Sequence, residues 1–173
     1  MINNNKIKAL ALASMFLALA LIMPFLTGQI QQIGSMLCPM HIPVLLCGYF
    51  CGGSWGFVIG AVAPVLRSFL FGMPQLFPQA ICMALELATY GLLAGILHKK
   101  WSVYASLITA MLGGRVVWGI AMFACLGFDT GKFGLNAFLA GAVTNAVPGI
   151  ILQLLLIPTF VVRLRKAANG GGQ

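Results

Sequence analysis

IKALALASMFLALALIMPFL, residues 7–26, carries a single charged side chain, Lys8. Twenty helical residues at about 1.5 Å each reach about 30 Å, the thickness of a bilayer's hydrocarbon core. Lys6 and Lys8 ahead of an apolar run resemble the start of a secretory signal. The run is longer than the apolar part of such a signal, and no small-x-small cleavage site follows it. It reads as a retained first membrane helix. Five further apolar stretches follow, set apart by Pro, Gly and polar clusters: 40–52, 54–72, 77–98, 101–125 and 136–163. The second rests on His41 to Phe50 and is short for a crossing. That helix must be tilted, enclosed by protein or lengthened into its loops.

The composition of the whole chain agrees. Of 173 residues, 61% are apolar and 7% charged, and the mean hydropathy is +1.02. Soluble domains carry about 25% charged residues, so this chain cannot coat a water-facing globule. Disorder, which needs low hydrophobicity and high charge, is excluded as well. The expected fold class is an all-α membrane protein, a six-transmembrane-helix bundle with both termini cytoplasmic. It forms one domain over 1–166, and 167–173 is a flexible tail.

Charge placement tests the even count. Lys6 and Lys8 precede the first span, Lys99 and Lys100 follow the fourth, and Arg163, Arg165 and Lys166 end the sixth. Six crossings with the N-terminus inside put all seven on the cytoplasmic side, with Lys132, beside Asp129, in an outer loop. That is the positive-inside pattern. The net charge of +8 is then mainly an orientation signal. No basic patch with interleaved aromatics points to nucleic acid.

Three charges fall inside spans: Arg67, Glu86 and Arg115. Each costs about 2.5–3.5 kcal/mol on insertion scales, so such residues usually face a partner or a cavity. Counting residues from the span ends places Arg67, Glu86, Arg115 and the polar Asn145 in one layer, about a third of the way in from outside. Glu86 can balance only one arginine, so one positive charge remains for an anionic guest; guanidinium suits a carboxylate. Pro64 and Pro148 flank the same layer and leave the carbonyls of Gly60 and Thr144 without their helical donors. Gln79, Glu86 and Tyr90 share one helical face, and Trp118 lies nearly a turn beyond Arg115. Packing alone explains Tyr90 and Trp118 equally well. Outer segments 27–39 and 72–78 are candidate lids, and His41 is either a ligand contact or a loop cap.

Other chemistry is weakly represented. Cys47 and Cys51 have the i, i+4 spacing of a metal pair, yet no His or acidic residue completes a set there, so buried thiols are the expectation. A Cys38–Cys125 disulfide is sterically conceivable. GFDTGK at 127–132 has the wrong spacing for a phosphate-binding loop. With two acidic residues in the chain, paired-carboxylate catalysis is implausible. No enzymatic activity, metal or cofactor is expected. Ala9/Ala13, Gly48/Gly52, Gly56/Gly60 and Gly91/Gly95 are small-xxx-small pairs that permit close helix approach.

Over residues 6–166 the chain resembles the substrate-binding membrane subunits (S components) of energy-coupling factor vitamin transporters. The segments SMLCPMHIPVLLCG (35–48), APVLRSFLFGMP (63–74) and ALELATYG (84–91) look most like the pantothenate type. The resemblance implies a multi-pass subunit of the bacterial cell membrane that captures its vitamin from outside. Its partners would be the lipid bilayer, a transmembrane coupling subunit and two ATPases. Ala9 and Ala13 match the small-residue motif used for docking on the coupling subunit, and ATP-driven toppling would release the vitamin inside. On this basis Arg67 or Arg115 takes a carboxylate, Glu86, Asn145 and Tyr90 take hydroxyl and amide groups, and Trp118 lies against methyl groups. The sequence leaves open a self-sufficient channel or facilitator for an organic anion, a purely structural membrane protein, or a different vitamin such as folate, lipoate, niacin or biotin.

Overall fold

A computed structural model describes residues 4–27, 39–126 and 147–170. Among them the regular structure is entirely helical. The helices are α1 (Asn4–Ile22), α2 (His41–Cys51), α3 (Gly53–Phe71), α4 (Ile81–Leu97), α5 (Val103–Leu126) and α6 (Val147–Gly170). Four segments are long and apolar enough to cross a membrane: Lys6–Phe25, Gly53–Phe71, Leu76–Leu97 and Val103–Cys125. His41–Cys51 and Pro148–Arg163 are shorter apolar helices. Leu10, Leu19, Phe69, Leu112, Ile120 and Leu155 are exposed. An apolar surface of that kind is tolerable in lipid and unfavourable in water.

Helix α4 is the hub. It packs against α2, α3 and α5, while α1 lies on α2 and α3, and α6 touches α2 and α5. The seam between α3 and α4 is made of glycine. A Cβ added at Gly56 would stand 2.6 Å from the Gly91 carbonyl oxygen, and one at Gly53 2.8 Å from that of Leu92. Gly60 is pressed equally hard on the Leu87 backbone, and Gly48 of α2 on Gly91. Without lipid-excluded water to drive association, such backbone contact is how membrane helices gain packing energy. The small-xxx-small pairs of α3 and α4 are therefore structural.

The short α2 is enclosed by the other helices. Every residue from His41 to Tyr49 is buried, which answers why eleven residues suffice. It ends at Gly52, whose φ of 92° lets the chain reverse directly into α3. Tyr49 ties α2 to α5, its hydroxyl donating to the Val103 carbonyl at 3.2 Å and sharing a 3.0 Å hydrogen bond with the Ser106 hydroxyl.

Of the expected irregularities, Pro64 does lie inside α3. Pro148 lies in α6, and the residues just before Val147, Thr144 among them, lie outside the described ones. The expected stretch 77–98 matches the apolar segment Leu76–Leu97, within which the regular α4 begins at Ile81. The preceding Leu76–Ala80 turn includes Phe77 in an extended conformation and packs against α3. Residues 28–38 of the expected lid 27–39, Cys38 among them, and Asp129, Lys132, Thr144 and Asn145 lie outside the described residues.

Candidate functional site

The helix register decides which polar groups meet. Gly60 faces Leu87 and Gly56 faces Gly91, so the residue of α3 level with Glu86 is about Ala61. Arg67 lies six residues farther along, about 9 Å at helical rise. The single layer expected from counting is therefore divided.

Glu86 is 2% exposed and sits one turn into α4. Its Oε1 is 3.1 Å from Nη1 of Arg115 on α5 and 3.5 Å from Nε2 of His41 at the start of α2. The first is an ion pair; the second is too long for a strong hydrogen bond. Tyr90, one turn beyond Glu86, is buried on the same helix. Its ring lies 5.1 Å from that of His41. Three helices thus deliver an acid, a base, an imidazole and a phenol to one point. The α5 backbone reaches it because Gly114 lies directly on the Tyr90 ring, where any side chain would collide.

His41 is buried, and neither ring nitrogen has a hydrogen-bond partner among the described residues. A buried donor or acceptor left unmet costs about 1–3 kcal/mol. Stability alone is a poor reason to keep one there. The Arg115 side chain is 16% exposed against 3% for Glu86. The cluster is therefore closed on the acid side and reachable on the guanidinium side. Trp118, half-buried on α5, packs with Ala121 and Met122 of the same helix and with Cys82 of α4.

Arg67 has a separate environment. It is 4% exposed, and its Nη1 donates to the Leu21 carbonyl at 2.7 Å. That carbonyl belongs to the last turn of α1, where helical acceptors lack partners and a cation is favoured. The Phe25 and Phe71 rings lie 5.2 and 5.4 Å from the guanidinium carbon. Carbonyl and aromatic faces, rather than a carboxylate, receive this charge.

Of the other expected site residues, Gln79 is exposed in the turn before α4, away from the buried face shared by Glu86 and Tyr90. Asn145 lies outside the described residues. Ala9 is half-buried and Ala13 is 1% exposed, covered by the subunit's own core. Ala13 is thus occupied within the chain. Sequence reasoning missed Gln153, which is 2% exposed on α6 with its Oε1 lacking a hydrogen-bond partner among the described residues. An amide in an apolar helix was the available signal. A cavity of about 520 Å³ opens at the Leu97 end, lined by Tyr49, Cys51, Gly95, His98 and Lys99 among others. Twelve residues of α4, about 18 Å, separate His98 from Glu86, so this cavity is distinct from the charged cluster.

A bundle of apolar helices enclosing a small polar cluster is that of a multi-pass membrane protein. The model of the family described as ECF transporter, substrate-specific component, matches residues 8–161. The chain belongs to that family, which is one of transporters rather than enzymes. Comparisons with curated proteins and with solved structures returned no match.

Proposed function

We propose that this chain is the substrate-capturing subunit of an energy-coupling factor importer in a bacterial plasma membrane, and that its substrate is a small anionic vitamin, pantothenate above others. Residues 1–166 form one six-crossing domain with both termini inside, and 167–173 is a tail. The observation that carries the reading is the Glu86–Arg115 pair, 3.1 Å apart, with the arginine on the more open side. A guanidinium has five donors, so Arg115 can hold Glu86 and a ligand carboxylate together.

Pantothenate has one carboxylate, two hydroxyls, an amide and a gem-dimethyl group. Arg115 takes the carboxylate. Glu86, Tyr90 and His41 take the hydroxyls, Asn145 the amide, and Trp118 lies against the methyl groups. Gln79 belongs to the entrance. Arg67, held by Leu21, Phe25 and Phe71, acts through the wall it fixes between α1 and α3. The lipid bilayer, a transmembrane coupling subunit and two ATPases are the partners. Because Ala13 faces inward, docking on the coupling subunit falls to Ala9 and the exposed side of α1. Toppling on the ATP-driven module then delivers the vitamin inward.

The test is a thermal-shift screen of the purified protein with pantothenate, folate, lipoate, niacin and biotin. Labelled-ligand binding to wild type and Arg115→Ala follows. Pantothenate should raise the melting midpoint, and Arg115→Ala should lower affinity at least tenfold. A shift with another vitamin alone would reassign the substrate. No shift with any anion, or uptake into liposomes without an ATPase partner, would remove the reading.

A further inference from the structure

The charged cluster is bordered by two thiols that the transport reading does not use. Cys82 lies one turn before Glu86 on α4 and is fully buried; Cys125 is on α5 and half-buried. Their sulfur atoms are 3.8 Å apart. The same two helices pack closely farther along, where Gly113 abuts Leu93 and Gly114 abuts Tyr90. A disulfide needs a separation of about 2.05 Å, so the sulfurs have less than about 2 Å to close. The other neighbouring thiols, Cys47 and Cys51, share α2, so a bond between them would join no two helices.

We propose that Cys82 and Cys125 are an oxidisable pair whose disulfide staples α4 to α5 beside the Glu86–Arg115 contact. The oxidant is a peroxide. The half-buried Cys125 sulfur, as thiolate, attacks one peroxide oxygen of hydrogen peroxide; the O–O bond breaks, water leaves and a sulfenic acid forms. The Cys82 sulfur then attacks that sulfur. The S–S bond forms, the S–O bond breaks, and the hydroxyl leaves as water with the Cys82 proton. Overall, two thiols and one hydrogen peroxide give one disulfide and two waters. Thiols regenerate the reduced pair by exchange.

The closed loop holds α4 and α5 at the spacing that the ion pair requires. It stabilises the subunit by restricting its unfolded chain. The inference depends on the two helices alone and stands whatever the ligand proves to be.

The experiment uses the full chain in detergent, reduced, freed of reductant and exposed to hydrogen peroxide. Proteolysis and mass spectrometry should find one peptide pair joined through Cys82 and Cys125, lighter by two hydrogens. The melting midpoint should rise by about 5 °C and fall back with dithiothreitol. Cys82→Ser and Cys125→Ser should each abolish both effects. Cys47→Ser, which retains the pair, should keep both. Oxidation of these thiols to sulfinic or sulfonic acid without the cross-link, or a disulfide to a different cysteine, would overturn the proposal.

Discussion

Arg67 and Arg115 carry the same charge inside the same apolar bundle, and they are neutralised in different ways. Arg67 is clamped between α1 and α3 by the Leu21 carbonyl and two phenylalanine faces, at 4% exposure. Arg115 meets the Glu86 carboxylate from α5 and keeps part of its side chain open. A guanidinium satisfied by backbone and rings has no unmet demand and serves to join helices. One paired with an acid, beside an imidazole whose nitrogens lack hydrogen bonds among the described residues, is the one that the proposed function gives to a guest. A buried charge in a membrane chain therefore marks a constraint. Its partners decide whether the constraint is architectural or functional.

The strongest way to break this contrast is Glu86→Ala. It strands Arg115 and should destabilise the protein by about 3–5 kcal/mol, with pantothenate binding lost; thermal unfolding and calorimetry read both. The paired variant Glu86→Gln with Arg115→Met should recover most of the stability and none of the binding. If it binds, the pair is not the site.

Arg67→Met comes next. Loss of a charged donor to the Leu21 carbonyl should cost about 1.5–3 kcal/mol in unfolding experiments while affinity stays within about threefold. An affinity loss of tenfold or more with stability intact would move Arg67 into the ligand's contacts. Smaller still is His41→Asn, which keeps a polar group at the start of α2. It should weaken pantothenate about tenfold, equivalent to about 1.4 kcal/mol, with little change in melting. Unaltered affinity would make His41 a packing residue. At the lower limit stands Gln79→Ala, whose exposed side chain should leave both readouts unchanged within error. A clear loss of binding would place that turn in the site.

The helices were largely legible because length and hydropathy act locally. The stretches 40–52, 54–72 and 101–125 match α2, α3 and α5 to within two residues. The Gly and Pro punctuation that bounded them reflects real backbone limits, such as the positive φ at Gly52 and Gly72. The fourth stretch, 77–98, coincides with the apolar segment Leu76–Leu97, whose first five residues form a separate turn before the regular α4. Hydropathy cannot tell a turn lying against α3 from the first turn of a helix.

The site was half legible. Glu86 and Arg115 stand out through the cost of charge in lipid, and they form an ion pair; Tyr90 was placed only by sharing a helical face with Glu86. His41 was ambiguous, since being next to a proline-bounded loop says nothing about what covers it. Gln153 was missed because an uncharged amide carries a weaker penalty than a charge.

From sequence alone follow the solvent this chain is made for, the approximate helices, and the rarity of charge that makes three residues stand out. These are sums over neighbouring residues and need no knowledge of the fold. Only the packed helices decide that Gly60 lies on Leu87 and Gly56 on Gly91, and with that register which arginine reaches Glu86. Register depends on contacts between residues distant in the chain, and a shift of a few residues along a helix axis moves a charged side chain from one partner to another.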